Sequence, residues 1–383
     1  MESVPGRSSR ADDVVSNQIT TNDCAANYRN QCPLFRIPSA ITGRDIPGGL
    51  SKETTPQMVI LTFDDPITDR TINIFKSLFD GRFRNPNGCP IRATFFVSHE
   101  WNNYDQTQWL YAHGQEIAVN SISHEPMNGK SRTAWAREME GLRKTLQAFS
   151  YINPKDVVGL RAPQFALGGD HQFAMMRDYN FSYDNSLVLS EGVFWPQTLD
   201  HRTPWNCGEQ FCNSRPHSGV WQFPLHQIQG DNGQKGIMLR AALKYNDTKE
   251  SVHRMLQKNF QKHSASRAPF VITMDTDFLT FLPDSQSVNG VELFLTEILK
   301  RKDVYVVSMA QALDWLRSPT PLSQIRNFRS WSDCRSLASR RFVQPCESPS
   351  KCTFSTPDGP RSFRICGSCP RSYPSVQDPT GRL

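Results

Sequence analysis

From Gln57 to about Leu316 the chain alternates between two hydrophobic rhythms. The runs QMVILTF (57–63), IRATFFV (91–97), EIAVN (116–120), VVGLRAP (157–163) and FVITMD (270–275) lack polar alternation. That pattern marks strands buried on both faces of a parallel sheet. Between them lie segments with helical spacing: TINIFKSLF (71–79), QTQWLYAHG (106–114), AWAREMEGLRKTLQAF (134–149), HQFAMMRDY (171–179), SVHRMLQKNFQKH (251–263) and VELFLTEILKRK (291–302). Strand followed by helix, repeated this often, predicts an α/β fold built as a closed or nearly closed β/α barrel over 56–318. Residues 1–55 are polar and rich in turn formers, with the cysteines Cys24 and Cys32 close together, and read as an arm without its own core. Residues 319–383 carry many Arg, Pro and Ser, five cysteines and no periodicity, which predicts a disulfide-tied tail packed on the barrel.

Composition narrows the picture. A chain of 383 residues with 38% hydrophobic content, 23 Phe and 8 Trp can bury a sizeable core. No apolar run approaches the length of a membrane span, and a net charge of +6 does not imply nucleic acid. The ten cysteines suit disulfides in an oxidising compartment, hence an extracellular protein. A zinc site built from Cys346, Cys352, Cys366 and Cys369 is the rival reading. Sequons at Asn180 and Asn246 agree with secretion. The first twenty residues do not: they hold no apolar run of the kind a secretory leader needs. We take the cysteines as the stronger sign.

In such a barrel, residues just past each strand's C-terminal end converge on one mouth. These are Asp64 and Asp65 after VILTF, Asn120 to His124 after EIAV, Arg161 to Gln164 after VVGL, Asp184 after FSY, and Asp275 with Asp277 after FVITM. Adjacent carboxylates at a strand end can divide labour, one holding a cation and the other a water as base. Taken singly, an Asp pair is as well a turn or helix cap, and a lone His124 as well a hydrogen-bonded surface residue. A buried Arg161 needs a carboxylate partner, and Asp64 is available.

Together the motifs are more specific. TFDD, then S-x-x-H, then R-x-P, in that order, resemble the polysaccharide deacetylases of the NodB-homology fold. NPNGCPIRATFFVSHEWNNY, GQEIAVNSISH, VVGLRAP, FWPQTLD and CPRSYPSVQDPTG resemble more narrowly the arthropod-type chitin deacetylases, over residues 56–383. The resemblance implies a distorted (β/α) barrel that removes acetyl groups from N-acetylglucosamine polymers with Zn2+ or another divalent metal. It implies that Asp65 binds the metal, that Asp64 is the base and that Arg161 orients it. The backbone N–H of Gln164, where the family usually has Tyr, would help hold the oxyanion. Asp184 and Trp195 would lie along the groove, Trp195 offering a face to a sugar.

Two positions depart from the family pattern. Its His-Ser/Thr-x-x-His motif reads Asn120-Ser-Ile-Ser-His124, leaving an amide oxygen as a poorer zinc donor than imidazole. The late strand that should carry an acid histidine carries Asp275, which must be protonated to give a proton to a leaving amine. The leading expectation is therefore a monomeric, secreted protein that binds chitin or N-acetylglucosamine oligomers with impaired or absent deacetylation. A working deacetylase with a rebuilt site (Asn120 as ligand, Asp275 as acid or ligand) is the second. A non-catalytic structural or interaction protein of a chitinous matrix is the third.

Overall fold

A computed structural model of the chain describes residues 43–203, 205–208, 210–334 and 346–382. The expected Cys24/Cys32 pair and most of the polar arm lie outside the described residues.

The apolar runs form strands where their periodicity predicts them. β1 (Gln57–Asp64), β2 (Ala93–Val97) and β3 (Glu116–Val119) are buried at every position. Burial of both faces explains why these runs show no polar alternation. The short strands β4 (Gly159–Leu160), β5 (Tyr183–Asp184), β6 (Gln197–Thr198) and β7 (Trp221–Gln222) continue the sheet, and β8 (Phe270–Met274) and β9 (Val304–Val306) complete it. The order is β8-β1-β2-β3-β4-β5-β7-β6. All neighbours are parallel except β6 and β7.

β1 is the centre of the register. Leu61 pairs with Ile272 on one side and Ala93 on the other, while Val59 pairs with Phe270 and Val306. β9 and β2 therefore share one edge of β1 in succession. Among the described residues no ladder joins β8 to β6, so the sheet curls as an incomplete barrel, the distorted form that the resemblance implied.

Helices α1 (Ile72–Leu78), α2 (Tyr104–Ala112), α3 (Arg132–Ser150), α4 (Asp170–Asp178), α5 (Lys249–Ser266), α6 (Gln286–Ile298) and α7 (Met309–Arg317) carry the remaining apolar stripes. Ser131 caps α3 by accepting from the Ala134 N–H, and Ser308 with Gln311 forms a capping box on α7. At one end of the core, Phe63 stacks on Phe95 at 5.0 Å and Phe75 meets both edge-on.

The tail is disulfide-tied. Cys89–Cys334, Cys207–Cys212, Cys346–Cys366 and Cys352–Cys369 are bonded. The four cysteines that offered a zinc alternative are thus consumed in two bridges. Strands β10 (Ser350–Thr356) and β11 (Gly359–Ile365) form an antiparallel hairpin. It rests on α2 and α3: the Cys366 N–H donates to Phe149 O at 2.8 Å, and Arg364 pairs with Asp69 and Asp105.

Candidate functional site

Asp64 is the last residue of β1 and is buried, as is Arg161 immediately after β4. The predicted pair forms. Arg161 Nη1 donates to Asp64 Oδ1, Nη2 donates to Thr62 Oγ1 at 3.1 Å and to Asn185 Oδ1, and Nε donates to Asn185 O at 3.1 Å. The guanidinium also lies 4.1 Å from the centre of the Phe96 ring. Burial pushes the Asp64 carboxyl up to about 7; Arg161 pulls it down, while Asp65 and Asp275 push it further up. A carboxyl poised there can take or release a proton near neutrality.

Asp65 turns away from its neighbour. It precedes Pro66, a position that favours extended backbone, yet it sits at φ 82°. Such left-handed geometry costs on the order of 1–3 kcal/mol in a non-glycine residue and gathers at functional sites. Its Oδ2 accepts from Thr276 N at 3.3 Å and Thr276 Oγ1 at 3.2 Å. Burial raises its pKa, against the Thr276 bonds and nearby His124.

The loop after β3 is equally constrained. Ser121 and His124 have φ of 74° and 57°. Glu138 of α3 holds the loop, accepting from the Ile122 and Ser123 N–H groups at 2.9 Å each and from Ser123 Oγ at 2.7 Å. Asn120 is buried, and its side-chain oxygen accepts no hydrogen bond among the described residues.

Asp275, directly after β8, is the largest surprise. Its Oδ2 accepts from Arg240 Nε at 3.1 Å and Nη2 at 2.9 Å, and its Oδ1 accepts from the Phe278 N–H at 2.7 Å. Both of its oxygens are thus engaged with neighbouring donors. Arg240 also feels Asp277 and Asp65, and its pKa rises, chiefly through Asp275.

The mouth thus gathers Asp64, Asp65, His124, Arg161 and Asp275. Gln164 is exposed, at φ 53°. Two expected groove residues are corrected. Trp195 is fully buried and stacks on Trp315 at 5.9 Å, so it offers no face to a ligand. Asp184 is also fully buried and accepts from Gln172, Ser186 and Gln222. Burial raises its pKa against those bonds, and it sits beneath the site near Arg161, not along a groove.

Sequence reasoning did not single out Arg240, Glu138, Asn185 or Thr276. Only Arg240 left a signal: a lone cation in the apolar run GIMLRAAL. As a cation site, the mouth offers the Asp65 carboxylate, the His124 imidazole and the unpartnered Asn120 amide oxygen. Among the described residues no three His, Cys, Asp or Glu side chains gather into a metal-binding group. This set does not fit a tightly held zinc.

A polysaccharide deacetylase family model matches residues 51–168. The chain is 32% identical over 371 residues to chitin deacetylase 1 of Bombyx mori, covering 92% of this chain and 68% of that protein. It is 29% identical over 352 residues to chitin deacetylase 8 of Bombyx mori, covering 88% and 89%. Among solved structures, a polysaccharide deacetylase from Bacillus cereus aligns at 15% identity and a TM-score of 0.40, covering 66% of this chain and 91% of that one.

Proposed function

Because the chain belongs to the polysaccharide deacetylase family, as a relative of chitin deacetylases, we propose that it binds chitin or other N-acetylglucosamine polymers and has lost most metal-dependent deacetylation. The observation that carries this reading is the Arg240 grip on Asp275. In a hydrolysis, the group at that position has to hand a proton to the departing amine, and a carboxylate tied to a guanidinium and a backbone N–H is less free to do so than the histidine that the resemblance implies there.

The remaining groups keep their geometry. Asp64, near pH 7 in its proton equilibrium and fixed by Arg161, retains the character of a base. Asp65, with Asn120 and His124, forms the weakened cation grip, and the backbone N–H of Gln164 is the oxyanion donor. That donor set, with an amide oxygen in place of an imidazole, fits zinc poorly. Domain limits of 56–318 for the barrel and 319–383 for the tail belong to this reading. The four disulfides among the described residues support residence in an oxidising, extracellular compartment.

The poised Asp64 favours a second reading, a slow deacetylase with a rebuilt site. Acetate release from chitin oligosaccharides, with and without a chelator, separates the two. The first predicts retention on chitin with no acetate above background. Chelator-sensitive turnover would establish the second.

A further inference from the structure

A cavity of about 330 Å³ opens where the antiparallel pair Ile228–Gln229 and Lys235–Gly236 meets α5. His226, Gln229, Lys235, Lys262 and His263 line it in part, and it shares no residue with the carboxylate cluster at the mouth. Asn259 of α5 fixes this wall, accepting from the Gln229 N–H at 3.1 Å and donating to the Gln229 carbonyl at 2.9 Å.

His226 is buried, and its Nε2 accepts from the Phe194 N–H at 3.1 Å. A ring nitrogen that accepts carries no proton, so the neutral imidazole keeps its hydrogen on Nδ1. That Nδ1 has no hydrogen-bond partner among the described residues. A buried donor without an acceptor is costly and uncommon in a folded protein.

The charge of the cavity is equally unbalanced. Lys235 and Lys262 both line it, and no carboxylate does. Asp231, in the turn between the two strands, is taken by Arg254 at 3.2 Å, and the Lys262 ammonium reaches only the Gln229 side-chain oxygen, at 3.4 Å. Partial burial lowers the Lys262 pKa, and Lys258 and Lys235 lower it further. An anion would relieve cations that repel one another and would supply the acceptor that His226 lacks.

We propose that this cavity binds a small oxyanion, a phosphate or sulfate group either free or carried on a small molecule, held by Lys235 and Lys262 with the His226 Nδ1–H as a neutral donor. Its volume is at the lower end for small-molecule sites, enough for a monoester as well as the bare ion. Two ammonium groups and an N–H, with no carboxylate beside them, match oxygens that only accept. The same two lysines would repel a metal cation, although two imidazoles stand together there. The site does not depend on the polymer-binding reading above.

The test is calorimetric titration of the full chain with inorganic phosphate and with glycerol 3-phosphate, at about 0.15 M salt so that distant charges are screened. Wild type is compared with Lys262→Gln, with Lys235→Gln/Lys262→Gln and with Lys258→Gln. Both lining lysines are exposed, so these variants keep the fold. Lys262→Gln should lose about fivefold in affinity and the double variant about tenfold or more. Lys258, which lies near Lys262 without lining the cavity, should matter by no more than about twofold. Phosphate should also shift the His226 ring resonances in an NMR titration. Tighter binding of glycerol 3-phosphate assigns the cavity to a monoester, and tighter binding of phosphate assigns it to the free ion. A wild type that binds neither probe overturns the site, as does a double variant that binds like wild type. So do His226 resonances that stay put at saturating phosphate, or a loss in Lys258→Gln as large as in Lys262→Gln, which would mean diffuse surface charge.

Discussion

Arg240 and Asp275 form an ion pair at the mouth of the barrel, two donors of one guanidinium meeting a single carboxylate oxygen at 3.1 and 2.9 Å. The pair joins the short helical turn before α5 to the end of β8 and puts a fixed cation among Asp65, Asp275 and Asp277. A guanidinium there compensates the local negative charge.

Restoring the missing donors should therefore need Arg240 to change as well. Asn120→His should raise zinc affinity on the order of tenfold or more, because imidazole replaces an amide oxygen; isothermal titration measures this without any turnover. Asp275→His alone leaves Arg240 facing an imidazole. The triple change Asn120→His, Asp275→His, Arg240→Gln should release acetate from chitin oligosaccharides where the wild type does not. Silence from a folded, zinc-loaded triple variant would mean that substrate no longer reaches Asp64.

Removing Arg161 should cost more than a surface ion pair. Arg161→Met leaves the buried Asp64 without its cation, a loss of about 3–5 kcal/mol. Asp64 can escape the penalty by taking a proton, so the loss should be larger at pH 8 than at pH 5. Urea unfolding at both pH values reads it out; a loss that does not depend on pH would mean that packing, not charge, is what Arg161 contributes.

His263 should impose an acid sensitivity. Burial lowers its pKa to about 4, with Lys262 adding to the effect, while its Nδ1 bonds the Pro269 carbonyl at 3.0 Å and its ring lies 5.0 Å from that of His226. As pH falls below the ordinary histidine value of about 6.5, the unfolded chain takes up a proton that the folded chain refuses. Stability from this group is complete above about 6.5 and declines toward 4, by at most about 1.4 kcal/mol per pH unit. Raised carboxyls such as Asp64, Glu116 and Asp184 act in the opposite sense. They cancel when His263→Gln is compared with wild type. From pH 7 to 5 the wild type should lose more stability than the variant; parallel curves would show that His263 does not titrate in this window.

The Cys89–Cys334 bridge closes a loop of 245 residues and ties the chain beyond α7 to the segment before β2. Replacing both cysteines by serine should lower stability by about 2–5 kcal/mol, measured by thermal or urea unfolding. An unchanged midpoint would mean that Trp331, whose Nε1 donates to Gln311 O at 2.9 Å, holds that segment unaided.

The strands and most helices were legible because periodicity is local: a strand that is buried on both faces reads as a nearly continuous apolar run. The Asp64–Arg161 pair was legible for a similar reason, since a guanidinium at the end of an apolar strand has few ways to be satisfied. Asn120 could be read as a departure from its motif for the same cause, a fixed spacing along one loop. Trp195 could not be read correctly. Its exposure depends on Trp315, far along the chain, which closes over it. Asp184 was misplaced likewise, because Gln172, Ser186 and Gln222 surround it from three segments. Arg240 gained its meaning from the neighbour that packing delivered, Asp275. Spacing along a chain dictates which face a residue shares with its near neighbours. Which distant side chain covers it, pairs it or leaves it open is settled only when the layers pack.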